Sequence, residues 1–457
     1  MKTVLTARLA LTLFLVLLTL SQYVVGAAQE QPLVITHAVI IDGNGKTPIE
    51  DGTIVIQGSK IEAVGPAINV KVPSHARVID ARGKTAMPGL ADMHVHLTGG
   101  WDGELVDMLG YQRYLHALLY AGVTTVLDTG NVQPYILQLR QEVARGRLVG
   151  PRIYCAGALI DGADPVWPPI SYSISSLEQI PGLVRRQKQD GVDIIKAYGG
   201  LSDRMVAALA QEAKKNSLRV FIDQWSRNGS MDLMQEGISA FAHLPTMRMS
   251  DEAIGLMKEK GIHCITTLTV YESFSRRRLA DLRFLEYPLF KDTSPPWFLE
   301  ELRKEAGREL KPEESSRARR VGEGLSEAQR NVKKLFDAGI LVAAGTDAPY
   351  PGVSQGEGLH RELELLVEAG LTPLEAITVA TKNAALLMNA GDEWGTLAPG
   401  KVANILLITG HPDKHISDTR NIETVIQAGR LLDREKLKFD TRKDPGFRVA
   451  SPVAAVP

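Results

Sequence analysis

Pro88-Gly89-Leu90-Ala91-Asp92-Met93-His94-Val95-His96-Leu97 is the stretch that decides the fold: a Pro-Gly turn feeds an apolar run that closes on two histidines. Alternate residues of a strand project to one side. His94 and His96, at i and i+2, therefore face the same point and are spaced as neighbouring ligands of a metal ion. A pair of this spacing also occurs where both histidines are merely structural, so the residues around it have to decide.

Downstream, strand-like runs alternate with amphipathic helical ones, the rhythm of βαβ units and a parallel sheet. Eight runs fit strands, at 90–96, 124–128, 152–156, 193–198, 219–224, 240–244, 263–269 and 341–346. They predict an α/β fold of the TIM type, a (β/α)8 barrel. Over 202–215, Met205, Leu209 and Ala213 repeat at i, i+4 and i+8 and predict a helix with one apolar face. Residues 271–323, between strands seven and eight, form a highly charged insertion too long for a structureless loop. Helices forming a lid or rim are expected there, with Arg317, Arg319 and Arg320 on a solvated face beside Glu313 and Glu314. Further helices are expected at 357–369 and 373–389.

Upstream, short β runs occur at 33–41, 53–57, 60–64 and 77–80, and strand-like pieces return at 403–408 and 423–428. Both chain ends are therefore expected to build one small β-sandwich domain, 29–86 with 395–440, beside the barrel at 87–394. Gly43-Asn44-Gly45-Lys46 lacks the rest of a phosphate-binding loop and predicts a hairpin turn. Residues 441–457 read as a tail.

The first 28 residues differ. Lys2 and Arg8 precede the apolar run 9–20, and Gly26, Ala27 and Ala28 follow, the layout of a cleavable secretory signal peptide. The run is shorter than the ~20 residues of a membrane-spanning helix. A secreted or periplasmic protein with no stable membrane insertion after cleavage is expected. The chain has 457 residues, with 52 Lys+Arg against 53 Asp+Glu, and its net charge of -1 argues against a nucleic-acid partner. Cys155 and Cys264 fall inside apolar runs and are expected to pack as small hydrophobes.

Working groups of such barrels sit at the C-terminal ends of the strands. Those positions hold His94 and His96 on strand one, Lys196 on four, Asp223 on five, His243 on six and Asp347 on eight. Three imidazoles, two carboxylates and a lysine at one mouth suit Zn2+, one or two ions, activating a water. Asp347 is then placed to take the water's proton and pass it to a leaving nitrogen. Its plainer role is a helix N-cap after the Gly345-Thr346 turn. For Lys196 the plainer role is a buried lysine paired with a carboxylate. Tyr198, Trp225, Arg248 and Tyr271 follow strands four to seven and are candidates to line a small-molecule pocket. Arg248 suits a substrate carboxylate, and equally a surface position. His37, His75, His116, His263, His360, His411 and His415 lie away from the strand ends and read as structural.

Together with Gly150-Pro151-Arg152, Gly191 to Lys196, Gly345-Thr346-Asp347-Ala348 and Gly395 to Lys401, these motifs resemble the amidohydrolase superfamily. The likeness is to its imidazolonepropionase-like and Xaa-Pro dipeptidase-like branch and covers roughly the whole mature chain. It implies a barrel with a small β-sandwich and a one- or two-metal site hydrolysing an amide-type C–N bond in a dipeptide or N-acyl amino acid. It also implies N-carboxylation of Lys196, giving a carbamate that bridges two metals, and leaves a homo-oligomer open. The departure is at strand five, where the family usually has a histidine and Phe221-Ile222-Asp223-Gln224-Trp225 has Asp223. Asp223 replaces that ligand at a second metal, or the enzyme uses a single metal, or the site is degenerate in a barrel kept as a binding protein. A rival is Gly352-Val353-Ser354-Gln355-Gly356, the nucleophile-elbow string of a serine hydrolase. Pro349 and Pro351 break the strand an elbow requires, so a loop is expected at Ser354.

Overall fold

Leu90–Val95 is buried at every position because it is one stave of a closed parallel barrel with neighbours on both faces. Its entry needs Gly89, where a Cβ would lie 2.4 Å from Thr124 Oγ1. The computed structural model describes residues 31–97, 108–223 and 231–442. The signal-like segment, Trp225 and most of the expected tail lie outside the described residues.

From Leu90–Val95 the staves run in order. Val123–Asp128 and Arg152–Cys155 pair in parallel with it and with each other in turn. The third stave breaks, resumes as Leu159–Asp161 and pairs with Ile195–Ala197. Val220–Asp223, Ala240–Ala242, His263–Ile265 and Val342–Ala343 follow. The ring closes where Met93 N donates to Ala344 O and His96 N to Ala348 O, both at 2.9 Å. The expected (β/α)8 barrel is present.

Strands six, seven and eight end two or more residues earlier than the sequence predicts, each ahead of a left-handed turn. His243, Thr267 and Asp347 enter the left-handed region, at φ 71°, 50° and 62°. Strand six therefore stops at Ala242 and strand seven at Ile265, while strand eight already stops at Ala343, ahead of the turn at Asp347. Leu268–Phe274, expected as strand end and rim, is a helix. A non-glycine residue held there costs of order 1–3 kcal/mol, and such positions cluster where side chains must be aimed.

The helices need smaller corrections. Asp203–Lys215 starts at Ser202, whose hydroxyl accepts from Met205 N at 3.3 Å. It buries Val206, Leu209, Ala210 and Ala213, so Met205 lies at the edge of the core face rather than in it. The expected helix at 373–389 is two, Pro373–Val379 and Lys382–Leu387, because Thr381 leaves helical geometry between them. The insertion before strand eight is helical, with Pro296–Ala306 and Pro312–Asp337 its longest pieces, and Arg317, Arg319 and Arg320 are exposed. Among the described residues no helix is long and apolar enough to cross a membrane.

Beside the barrel, Leu33–Ile40, Ile49–Gln57, Lys60–Pro66 and Arg77–Asp80 join Ile405–Thr409, Ile422–Gln427 and Arg430–Leu431 in one eight-stranded sheet. The eighth member, Lys84–Pro88, was not expected. It pairs with Leu33–Ile40 on one side and Ile405–Thr409 on the other, then runs almost directly into the first stave. Strands from both chain ends thus form one β-rich unit. The turn at Gly43–Lys46 joins an antiparallel hairpin, as expected. Cys155 and Cys264 are buried free thiols.

Candidate metal centre

Asp347 is the hub of the barrel mouth. His96 Nε2 lies 3.1 Å and His94 Nε2 3.3 Å from its Oδ1, and His243 Nε2 lies 4.0 Å from its Oδ2. Strand eight comes this close because residue 345 is glycine: a Cβ there would sit 2.7 Å from His94 Cβ. Among the described residues, His94, His243 and Asp347 form a buried group whose ligand atoms all lie within 4.8 Å of one another. On the other side of His243, Asp223 Oδ2 lies 3.2 Å from Nε2 and 3.5 Å from Lys196 Nζ. The six strand-end residues singled out in the sequence are brought together. Asp347 caps no helix, since the next one begins at Glu357.

The donor set suits a divalent transition-metal ion. His96 Nδ1 sits 2.8 Å from the Gly130 carbonyl oxygen, which only accepts, so that nitrogen carries a hydrogen. Nε2 then faces an Asp347 oxygen, another acceptor, and the contact needs a proton or a metal between the two. His94 and His243 present Nε2 to carboxylate oxygens in the same way. Burial first, then the charge of Lys196, holds His94 well below the ordinary histidine pKa, so a proton is disfavoured there. At His96 burial pushes downward too, but the Asp347 hydrogen bond and charge prevail and raise its pKa. Burial lowers the pKa of Lys196, opposed by the charges of Asp223 and Asp347. Neutral imidazole nitrogens and a carboxylate in a buried pocket are the ligands such an ion takes.

Residues that the sequence reading missed hold this arrangement. Asp92 accepts from His94 N at 3.2 Å, and burial pushes its carboxyl up to about 7 against its Thr346 and His94 hydrogen bonds. Asp128, at the end of strand two, accepts from Leu97 N at 2.8 Å and Gly130 N at 3.2 Å, fixing both sides of the His96 contact. The His243 ring is held through Nδ1, 2.7 Å from Thr267 Oγ1. Gln355 Nε2 donates to the His96 carbonyl at 3.1 Å. Asp92 had a signal: the alternation that aligns His94 with His96 puts Asp92 on the same face.

Of the expected pocket residues, Tyr198 accepts from Trp167 Nε1 at 2.8 Å, and burial, then the charge of Asp223, raises its pKa well above the usual value. Tyr350, not singled out in the sequence, is raised likewise by burial and by Asp347 and Asp223. Both hydroxyls stay protonated beside the cluster. Tyr271 is buried and donates to the Leu244 carbonyl at 2.6 Å, bracing the chain next to His243. Arg248 is exposed on the turn after strand six. Ser354 is buried in the expected loop, and its Oγ has no hydrogen-bond partner among the described residues, so no base activates it.

The pattern of the amidohydrolase family matches residues 85–432. The chain belongs to that family. As an amidohydrolase it is a hydrolase acting on C–N bonds. It is 26% identical over 388 residues to an imidazolonepropionase of Thermoanaerobacter pseudethanolicus, covering 79% of this chain and 84% of that one. It is 24% identical over 464 residues to an ochratoxinase of Aspergillus niger, covering 90% and 88%. A Xaa-Pro dipeptidase structure with methionine bound in its active site superposes with a TM-score of 0.70, at 23% identity, over 88% of this chain and 100% of that one.

Proposed function

We propose that this amidohydrolase is an exported, zinc-dependent enzyme that hydrolyses an amide-type bond in a small substrate, a dipeptide or N-acyl amino acid. The observation that carries the metal-dependent reading is the meeting of three imidazole Nε2 atoms with the Asp347 carboxylate within 3.1 to 4.0 Å. That intact cluster counts against a degenerate binding barrel. The substrate class rests on the likeness of the motifs to Xaa-Pro dipeptidases, and export on the layout of residues 1–28.

His94, His243 and Asp347, with His96 against Asp347 Oδ1, would hold the zinc. When bound, such an ion lowers the pKa of a water from about 15.7 toward ~7. Asp347 Oδ2, the oxygen not met by His94 or His96, takes the proton of the attacking water and returns it to the leaving nitrogen. Tyr198 and Tyr350, kept protonated, supply O–H donors for the developing oxyanion.

The test is metal analysis of the purified protein, paired with amine release from a panel of N-acyl amino acids and dipeptides before and after chelation. Release that stops with chelation and returns with Zn2+ is the expected result. A zinc-free protein, or turnover indifferent to the chelator, overturns the reading. N-terminal sequencing of the exported protein should begin near residue 28.

A further inference from the structure

Lys196, Asp223 and His243 are all buried, and one oxygen joins them: Asp223 Oδ2 lies 3.5 Å from Lys196 Nζ and 3.2 Å from His243 Nε2. We infer, resting on the metal-dependent reading above, that this centre takes a single metal ion and that Lys196 keeps an unmodified amine, paired with Asp223.

Donor arithmetic leads there. An ion at the tightest group engages His94, His243 and Asp347. The other nitrogen of His243 is committed to Thr267 Oγ1, so His243 has one nitrogen for a metal and cannot serve two ions. His96 is held at Nδ1 by Gly130 and presents Nε2 to the same Asp347 oxygen as His94, so it serves that first ion. Of the clustered side chains among the described residues this leaves Asp223 for a second ion. One carboxylate does not hold an ion in place of water; a carbamate on Lys196 would have to supply the remaining protein oxygens.

The surroundings of Nζ oppose that carbamate. Carboxylation joins the amine nitrogen to the carbon of carbon dioxide and, starting from the ammonium form, releases two protons, turning a cationic side chain into an anionic one. The new oxygens would stand beside Asp223 Oδ2, with Asp347 also near enough to act on Lys196 electrostatically. Three anions in one dry pocket exceed the charge of a single divalent ion, whereas a lysine there gives the buried Asp223 a countercharge. A histidine at position 223 would add no such negative charge. The aspartate on strand five thus does on its own what a carbamate does elsewhere, placing a carboxylate beside His243.

The full-length native protein and a Lys196→Arg variant, which cannot form this carbamate, decide the matter. Both are loaded with excess Zn2+ in carbon-13 bicarbonate, desalted, and read by elemental analysis and carbon-13 NMR. One zinc per chain in the native protein, with no carbamate resonance that depends on Lys196, is expected. Two zincs per chain, or a carbamate signal lost in the variant, overturns the inference and leaves the hydrolase reading standing. A native protein that retains no zinc overturns the metal-dependent reading and this inference with it. Should the variant not fold, the native metal count and the presence or absence of the carbamate resonance still decide.

Discussion

The Thr346 hydroxyl donates to Asp92 Oδ2 at 2.7 Å and the Thr346 amide to Oδ1 at 3.0 Å, so a carboxylate on strand one fixes the residue before Asp347 on strand eight. The same carboxylate accepts from His94 N. One side chain therefore sets two residues of the candidate metal cluster across the barrel closure. Asp92→Asn puts an amide nitrogen where donors already converge. Zinc affinity should fall about 10- to 100-fold, measured by competition with a chromophoric chelator, with the circular dichroism spectrum unchanged. Unchanged affinity would show that Asp92 merely closes the barrel.

Asp347→Asn keeps the shape of the hub but removes the carboxylate to which the proposed mechanism gives the proton. A drop in kcat of about 100- to 10,000-fold is expected, the range for loss of a general acid-base group. Steady-state kinetics on the best substrate at saturating zinc checks it, since added metal compensates for weakened binding. A variant that turns over within a few-fold of the native rate would place the proton acceptor elsewhere.

Glu362 accepts from the amides of Leu268 and Thr269, each at 2.8 Å, and from Thr269 Oγ1 at 3.0 Å. It thereby holds the turn containing Thr267, which meets the His243 ring. Glu362→Gln leaves one of these buried donors facing an amide NH2 and should cost about 1–3 kcal/mol in denaturant unfolding. Activity should fall with it. A loss of activity at unchanged stability would instead assign Glu362 a direct part in the chemistry.

The barrel and its strand-end residues were legible because both follow a local pattern: His94 and His96 alternate along the first strand, and strands four, five, six and eight each carry one polar residue of the right kind at or just beyond the end of an apolar run. Glu362 follows no such period. It sits in Glu357–Glu368 among leucines and reaches a turn some ninety residues earlier in the chain, a contact only the folded core defines. The left-handed turns at His243 and Thr267 were equally hidden, since such a conformation is uncommon for any non-glycine residue, least expected for the β-branched Thr267, and tertiary contacts impose it. Lys84–Pro88 escaped notice because it ends in proline and because its partner Ile405–Thr409 lies at the far end of the chain.

Ser354→Ala should leave turnover unchanged, and a fluorophosphonate probe should leave the native protein unlabelled. Ser354 is 1% exposed, and a turn rather than a strand leads into it. An elbow needs that strand to thrust the serine into the pocket. Stoichiometric labelling at Ser354 would restore the serine-hydrolase reading.

His360 ties the barrel to the β-rich unit. Its Nε2 donates to the Ala121 carbonyl and its Nδ1 pairs with Thr419 Oγ1, both at 2.9 Å. Burial, then the charge of Arg420, pushes its pKa from 6.5 down to about 4, although the Ala121 hydrogen bond opposes this. The folded state therefore keeps this ring neutral over a range in which the unfolded chain protonates it. As pH falls below about 6.5 the unfolded state binds the extra proton, and stability drops until the folded ring protonates near 4. The drop amounts to about 3 kcal/mol from this residue. His360→Gln removes a protonatable group, so its unfolding free energy should be lower than native at pH 8 yet fall less steeply from pH 7 to pH 4. Other titrating groups are common to both proteins and cancel in the difference. Denaturant unfolding of the two proteins across that range measures it, and parallel curves would show that His360 is not held neutral.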